Sequence, residues 1–588
     1  MACRSDTMDP ETLSGALADI DVLVNEMVYH PDSPATVPTL TNASTRTQLA
    51  DVTKPVSQLA DATCIPPELL AALASMAHCP ADNLTPSQSL VAIGVDSITA
   101  ISLSAKCRKA GLAISVWDIV SSSTIGELAS KVTKIDLDSA ALQINSPLVE
   151  TTTEERQAII ERFPERRRCQ IVSVSAATEG MKWLIAAWQR SFHQRFHHVF
   201  AYKLSPDINT QRLREAWKAL VAYHPILRST FASAPGNIDP RVVTFALDSK
   251  EADLTEECVE HGQDLIALAE RMETIVVSPL PISAAQTKGF ILTSTSTNSR
   301  YLLIRMHHFQ YDALSLRLLL EDLSSIYLGS SPQNSPDTSA FLAAFAPSLT
   351  NLAEQRLYWQ SVMPSSFLPI YFPPLIPEKN RQPSLERIIV TITSAIPGAA
   401  ELKKQAQAID IPLHCILLAS WASVQAFYSS SDHVTFGLWH AGRTGSVPNV
   451  LNLAVPCMNV LPVHIPVSDN LLEVARTVQQ DLYKRTPVIQ QSSLRNIDEW
   501  ITGGKGSPLT NVFVNVFEIV GEEREDELFA FVEVTACLLF GSQTFFILYQ
   551  IDHTIPAKAL VLEESEVIDK LPITKLLQVC VRKPHRVR

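Results

Sequence analysis

The chain has 588 residues, 46% of them apolar and 19% charged, with a formal net charge of -13. That length exceeds one hydrophobic core and suggests roughly three to five compact units. The composition excludes a mainly disordered chain, and the acidic balance excludes a protein-wide polyanion-binding surface, so nucleic acid is not an expected partner. Ten cysteines, from Cys3 to Cys580, include no C-x-x-C pair. They suggest neither a metal site nor a disulfide framework and fit a reducing compartment.

The first twenty residues carry Asp6, Asp9, Glu11 and Asp19 in place of a basic stretch followed by an apolar one, which argues against a secretory signal. Residues 31–62 are rich in Pro, Ser, Thr and Asp, so 1–62 is expected to be a flexible region or linker. Helical patterns at Pro67–Ala77, 97–110 and 125–132, with no convincing strand, predict a small helical bundle over 63–135. Residues 136–165 read as a second linker, and Arg166-Arg167-Arg168 as a solvated flank.

From about residue 166 the texture becomes α/β. Strand-like runs at 199–202, 301–306 and 512–517 alternate with amphipathic helices such as Thr210–Tyr223. Roughly 400 residues call for two lobes, expected at 166–345 and 346–575, with the Pro-rich stretch 364–383 near their junction. The most apolar run, 411–427, is interrupted by His414, Ser420, Ser423 and Gln425, too short and polar for a membrane span. Residues 576–588 form a basic tail with no assigned role. A cytoplasmic protein without a membrane partner is expected.

The first chemistry-bearing stretch is Ile93-Gly94-Val95-Asp96-Ser97-Ile98, followed by a helix with Ile98, Ile101 and Ala105 on one face and Gly111 as its stop. Ser97 opens that helix, where free N–H groups and the positive dipole end favour a phosphodiester anion. Asp96 or Ser97 acting simply as the helix cap explains the pair equally well. The second stretch is Arg305-Met306-His307-His308-Phe309-Gln310-Tyr311-Asp312-Ala313, on a strand-to-helix connection that suits catalytic groups. An imidazole there can take a proton from an attacking nucleophile. The alternatives are a packed core histidine at 307, a satisfied polar group at 308 and a helix cap at Asp312. A second histidine pair, His197-His198, has Tyr202 in place of the acid and reads as structural.

The first stretch resembles the prosthetic-group motif of acyl and peptidyl carrier proteins, and Leu84, Leu90, Trp117-Asp118-Ile119-Val120 and Thr124-Ile125-Gly126-Glu127-Leu128-Ala129 extend the likeness. The second resembles the His-His-x-x-x-Asp-Gly signature of the nonribosomal peptide synthetase condensation family, with Ala313 in place of Gly. Ser175 to Met181 matches that family's opening motif loosely, and His224-Pro225-Ile226-Leu227-Arg228-Ser229-Thr230-Phe231 matches the next well. Tyr358-Trp359, Asp432-His433-Val434-Thr435-Phe436-Gly437 with Gly442-Arg443, and Pro456-Cys457-Met458-Asn459-Val460-Leu461-Pro462 follow in family order. Gln490 to Arg495 and Pro508 to Val512 match less closely.

The resemblance implies a small all-α four-helix carrier bundle followed by an α/β, two-lobed condensation domain of the chloramphenicol acetyltransferase-like fold. It implies 4'-phosphopantetheine attached covalently to Ser97, with Asp96 beside it. His308, with His307 and Asp312, would act on the acceptor nucleophile; Asp312 would pair with Arg443, and Asn459 would be a structural or tunnel residue. Implied partners are a phosphopantetheinyl transferase, an adenylation-containing synthetase module or protein, and carrier-bound aminoacyl or peptidyl substrates. No adenylation motif is found, and no segment is expected after the condensation domain, an order that suits a terminal domain that cyclises and releases its product.

The spelling His-His-Phe-Gln-Tyr-Asp-Ala is similar to that of fungal hydroxamate siderophore synthetases of the ferrichrome type. Alternatives are a coenzyme A acyltransferase, whose Asp-Phe-Gly-Trp-Gly signature is missing, a non-catalytic carrier-docking module, and an epimerase.

Overall fold

The computed structural model describes residues 2–4, 65–134, 152–259, 280–336, 349–371, 389–391, 399–518, 529–532 and 548–551, some internal positions excepted, and the single positions 271 and 275. Asp96, Ser97, Gln490, Pro508, Asn511, the first linker beyond its opening residues, residues 136–151 and the basic tail lie outside the described residues.

Among the described residues the carrier region holds four α-helices, α1 (Pro67–Ala77), α2 (Thr99–Lys109), α3 (Val116–Val120) and α4 (Ile125–Lys131). Leu69, Leu73, Leu90, Leu103, Ile119 and Leu128 meet in one apolar core. Thr124 caps α4 by accepting from the Glu127 amide, which answers an otherwise orphaned donor. A two-residue ladder joins Leu112 and Ala113 to Lys134 and Thr133, where no strand was expected. The carrier touches the rest of the chain through Ser89, whose hydroxyl donates to the Asp410 carboxylate, and through Tyr483, which packs against its core.

The stretch expected as a second linker ends in structure. Helix α5 (Thr153–Glu161) is capped by Thr152, and its Ile159, with Phe163, packs on Val243 and Phe245. Glu155 is clamped by Arg241 at 2.9 and 3.1 Å. Few apolar residues sit in this polar stretch, so its composition concealed an amphipathic helix. Arg167 also departs from the solvated reading. It is buried, donates to the Ser283 carbonyl, Gln170 and Glu251, and lies 4.5 Å over the Phe245 ring. Its guanidinium finds partners from non-local chain, which charge runs in sequence cannot reveal.

The first lobe then runs β1 (Ile171–Ala176), α6 (Glu179–Arg190), β2 (His197–Leu204), α7 (Thr210–Tyr223), β3 (Ser229–Ala232), β4 (Arg241–Phe245), β5 (Thr255–Val259), β6 (Lys288–Ser294), β7 (Arg300–His307) and α8 (Ala313–Tyr327). In α7, Leu213, Ala216, Trp217, Leu220 and Val221 are buried, the spacing of one helical face. Beyond it come α9 (Leu349–Val362), α10 (Ala399–Ala408), α11 (Leu413–Ser429), β8 (His433–His440), β9 (Asn459–Pro466), α12 (Leu471–Arg485), α13 (Leu494–Thr502), β10 (Phe513–Glu518), β11 (Phe529–Val532) and β12 (Leu548–Ile551). The apolar run that was too polar for a membrane span is α11, buried almost all round in the second lobe's core. Among the described residues no single helix is long and apolar enough to cross a membrane.

A three-stranded sheet has the order β1-β4-β3, a five-stranded sheet β11-β2-β7-β6-β5, and a four-stranded sheet β9-β8-β10-β12. β11 therefore joins the first lobe's sheet, antiparallel to β2, although its sequence lies within the expected second lobe. In the five-stranded sheet His197 pairs with His307, and His198 with Met306.

At the lobe contact, a Cβ on Gly180 would lie 1.9 Å from the Met458 carbonyl oxygen. Only glycine allows α6 to start against the chain leading into β9. Gly180→Ala is expected to destabilise the protein by about 1–3 kcal/mol, the usual cost of overpacking. Urea unfolding checks this, and an unchanged midpoint would mean that the two segments do not touch in solution.

Candidate active site

The histidine loop is built by local capping. The His307 side chain accepts at Nδ1 from the Phe309 amide (3.1 Å) and caps the turn His308–Gln310. Gln310 reaches back to accept from the His307 amide at 3.2 Å, and its Nε2 donates to the Ile226 carbonyl at 2.8 Å. The well-matched motif around His224 thus serves as the loop's floor. His224 Nε2 is itself hydrogen-bonded to the Asp322 carboxylate at 2.8 Å, with both side chains buried.

The two histidines of the loop face different surroundings. His307 turns into the core of the first lobe, against Trp188, Phe231 and His197, and its Nε2 has no hydrogen-bond partner among the described residues. His308 lies beside Tyr311, His198 and Trp439. Its amide donates to the Phe196 carbonyl (2.7 Å), and Nδ1 pairs with the Tyr311 carbonyl at 3.1 Å. A carbonyl only accepts, so Nδ1 carries the proton and Nε2 keeps its lone pair. Burial pushes the His308 pKa below its ordinary value, while the Tyr311 carbonyl and the Asp312 charge pull it back up. The ring is therefore a neutral base at neutral pH.

Asp312 ties the loop to the second lobe. One carboxylate oxygen accepts from the Ser315 amide at 2.7 Å and caps α8. The carboxylate also accepts from Arg443 Nη2 at 3.0 and 3.1 Å and from the Cys457 amide at 2.8 Å. Arg443 is buried and donates further to the carbonyls of Val450, Leu453 and Val455. Burial disfavours its charge, but the Asp312 carboxylate, by its charge and hydrogen bond, and Cys457 together outweigh that, and its pKa is raised. Asn459 lies apart from this cluster. It donates to the Ile489 and Ser492 carbonyls at 2.6 and 2.8 Å and accepts from the Val460 amide, holding the segment before α13.

His308, Asp312 and Arg443 therefore meet at the lobe junction, His307 supports the loop from beneath, and Asn459 braces a neighbouring segment. His198, read from sequence as structural, stands beside His308 with its Nδ1 on the Tyr311 hydroxyl. A second His-His pair on a strand able to pair with the first was the only signal, and it needs the sheet order to be used. On the carrier, Gly94 has φ of 93° and Thr99 Oγ1 donates to its carbonyl at 3.0 Å. Thr99 opens α2 and is tied back to Gly94, so the described chain sets a helix start, whose free amides favour an anion, next to this motif.

The family model for the condensation domain matches residues 170–492. The chain belongs to the condensation-domain family. The phosphopantetheine attachment site model matches residues 67–132, which assigns 4'-phosphopantetheine as the carrier region's covalent group. Coprinoferrin synthetase of Coprinopsis cinerea (strain Okayama-7) is 35% identical over 538 residues, 90% of this chain and 22% of that protein. Nonribosomal peptide synthetase NPS2 of Ceriporiopsis subvermispora (strain B) is 35% identical over 531 residues, 89% of this chain and 21% of that one. The chain spans about a fifth of the length of these relatives. The first condensation domain of the calcium-dependent antibiotic synthetase, solved with a substrate analogue, overlaps with TM-score 0.49 and 14% identity over 65% of this chain and 89% of that one.

Two outcomes follow for this condensation domain. Asp312→Ala and Arg443→Ala should each destabilise it by about 3–5 kcal/mol, because each leaves a buried charge unpaired. The double variant should cost less than the sum, since both lose the same contact; additive losses in urea unfolding would refute the coupling. Stability should also fall in acid. Burial lowers the pKa of His198, His307 and His308, that of His440 to about 3 and that of His464 to about 4. Native imidazoles stay neutral while unfolded ones titrate near the usual ~6.5, so their contribution is whole above that pH and lost below it, by up to about 1.4 kcal/mol per unit for each group. Unfolding midpoints at pH 7.5, 6 and 5 test this, and equal midpoints would contradict it.

Proposed function

We propose that this chain is a carrier and condensation pair of a nonribosomal peptide synthetase, transferring an acyl group from a carrier-bound thioester to an amine or hydroxyl. The observation that carries this reading is His308. It is a half-buried imidazole kept neutral by desolvation, and its Nδ1 is fixed by a carbonyl. Nε2 takes the proton that the acceptor gives up as it attacks the acyl carbon, a contribution of about 10²- to 10⁴-fold. Asp312 and Arg443 hold the loop in place and take no proton.

Ser97 is the attachment point on this reading, with Asp96 beside it. When bound, 4'-phosphopantetheine supplies a thiol on a flexible arm that carries acyl groups as thioesters. Tethering raises the local concentration of donor, which removes much of the entropic cost of encounter. The carrier forms a four-helix bundle and the condensation region has the two-lobed, chloramphenicol acetyltransferase-like fold; helices α1 to α4 around one core and the two large sheets support this.

The likeness to a coprinoferrin synthetase supports a fungal siderophore peptide as product. The same site closes and releases that peptide when the acceptor is its own amine. An adenylation-containing module and a phosphopantetheinyl transferase act on the chain in the cytoplasm.

Intact-mass analysis after incubation with a phosphopantetheinyl transferase and an acyl-pantetheine donor tests the reading. Ser97→Ala is expected to gain no mass. His308→Ala is expected to load fully yet transfer at least about 100-fold more slowly to an added amine. Equal transfer by wild type and His308→Ala would favour a carrier-docking module.

A further inference from the structure

The ring of His308 rests on more than the loop that bears it. Tyr311 stacks on it at 4.6 Å and 14°, and Trp439 of β8 lies nearly parallel to it at 6.3 Å and 9°. Tyr311 is itself held from a distance, because its hydroxyl is hydrogen-bonded to Nδ1 of His198 on β2. Phe200, on the same strand, meets the Tyr311 ring edge-on at 5.1 Å. His198 is buried and registered opposite Met306, one position before the loop's first histidine.

We propose that His198 and the Tyr311 hydroxyl form a positioning pair that fixes the aromatic face against His308, and so the direction in which His308 Nε2 points. A hydrogen bond at Nδ1 constrains one point of the imidazole and leaves its plane free to tilt. The Tyr311 ring supplies the plane. That ring is attached to the carbonyl that receives Nδ1–H, so one residue sets both position and tilt, provided its own side chain cannot swing. The bond to β2 prevents the swing. Burial keeps His198 unprotonated, with His308 and His197 adding to the effect, and keeps Tyr311 unionised. The tyrosine therefore donates and the histidine accepts, with no buried charge to compensate. The imidazolium formed when Nε2 takes a proton lies against the Tyr311 π face, which favours a cation, and Trp439 of the second lobe lies nearly parallel nearby.

The inference rests on His308 handling the acceptor's proton, and its test separates the two claims. Tyr311→Phe removes one oxygen and keeps the ring; His198→Ala removes the other partner. In the full chain, each is expected to lower kcat with an acyl-pantetheine donor and a free amine about tenfold, with KM unchanged, and the double variant is expected to lose no more than either single one. In parallel, ¹⁵N-histidine spectra, with His308 assigned by its loss in His308→Ala, are expected to change from one Nδ1–H form in wild type to an average of two forms in Tyr311→Phe.

Full kcat in Tyr311→Phe, additive losses, or unchanged His308 resonances alongside lost kcat would each overturn the pair. Altered resonances together with wild-type transfer by His308→Ala would leave the positioning pair standing and remove the catalytic reading instead.

Discussion

The carboxylate of Asp312 is the constraint on which the candidate site depends. It caps α8 in one lobe and accepts from Arg443 and the Cys457 amide of the other. A buried ion pair of this kind adds little net stability against an apolar substitute, but it is costly to break from one side. Its effect here is to make the histidine loop, the end of β8 and the approach to β9 share one geometry. Gly180 against Met458 brings the lobes together at a second point where no side chain fits.

That shared geometry gives the loop histidines different tasks although they are adjacent. His307 spends its Nδ1 on a backbone amide and its ring on the core below. His308 spends its Nδ1 on a carbonyl and retains a lone pair, inside an aromatic setting drawn from β2, the loop and β8. Desolvation lowers its pKa and keeps it neutral, with a lone pair available for a proton, and the Asp312 charge moderates that effect. The departure from the usual signature at Ala313 leaves the cap intact, since Asp312 and Ser315 cap each other across it.

Much of this was legible in the chain. The helices Pro67–Ala77 and Thr210–Tyr223 follow from apolar spacing alone, and the strand runs at 199–202 and 301–306 sit inside β2 and β7. The Asp312 to Arg443 pair came from the order of motifs and is present in the structure. Harder to read were residues whose partners are far along the chain. Arg167 looked solvated, yet Ser283 and Glu251 bury it. The polar stretch before β1 hid α5, because Ile159 and Phe163 become a face only when Val243 and Phe245 are beneath them.

The sequence by itself marked the candidate site side chains and many of the helices and strands, since those signals depend on neighbours a few positions away. Only the tertiary structure decided that β11 returns to the first lobe's sheet and that Trp439 reaches His308. It also decided how His197 and His198 divide. Successive residues of a strand point to opposite faces, so one joins the core histidine and the other the site; which does which depends on register against β7, a non-local pairing that no local pattern encodes.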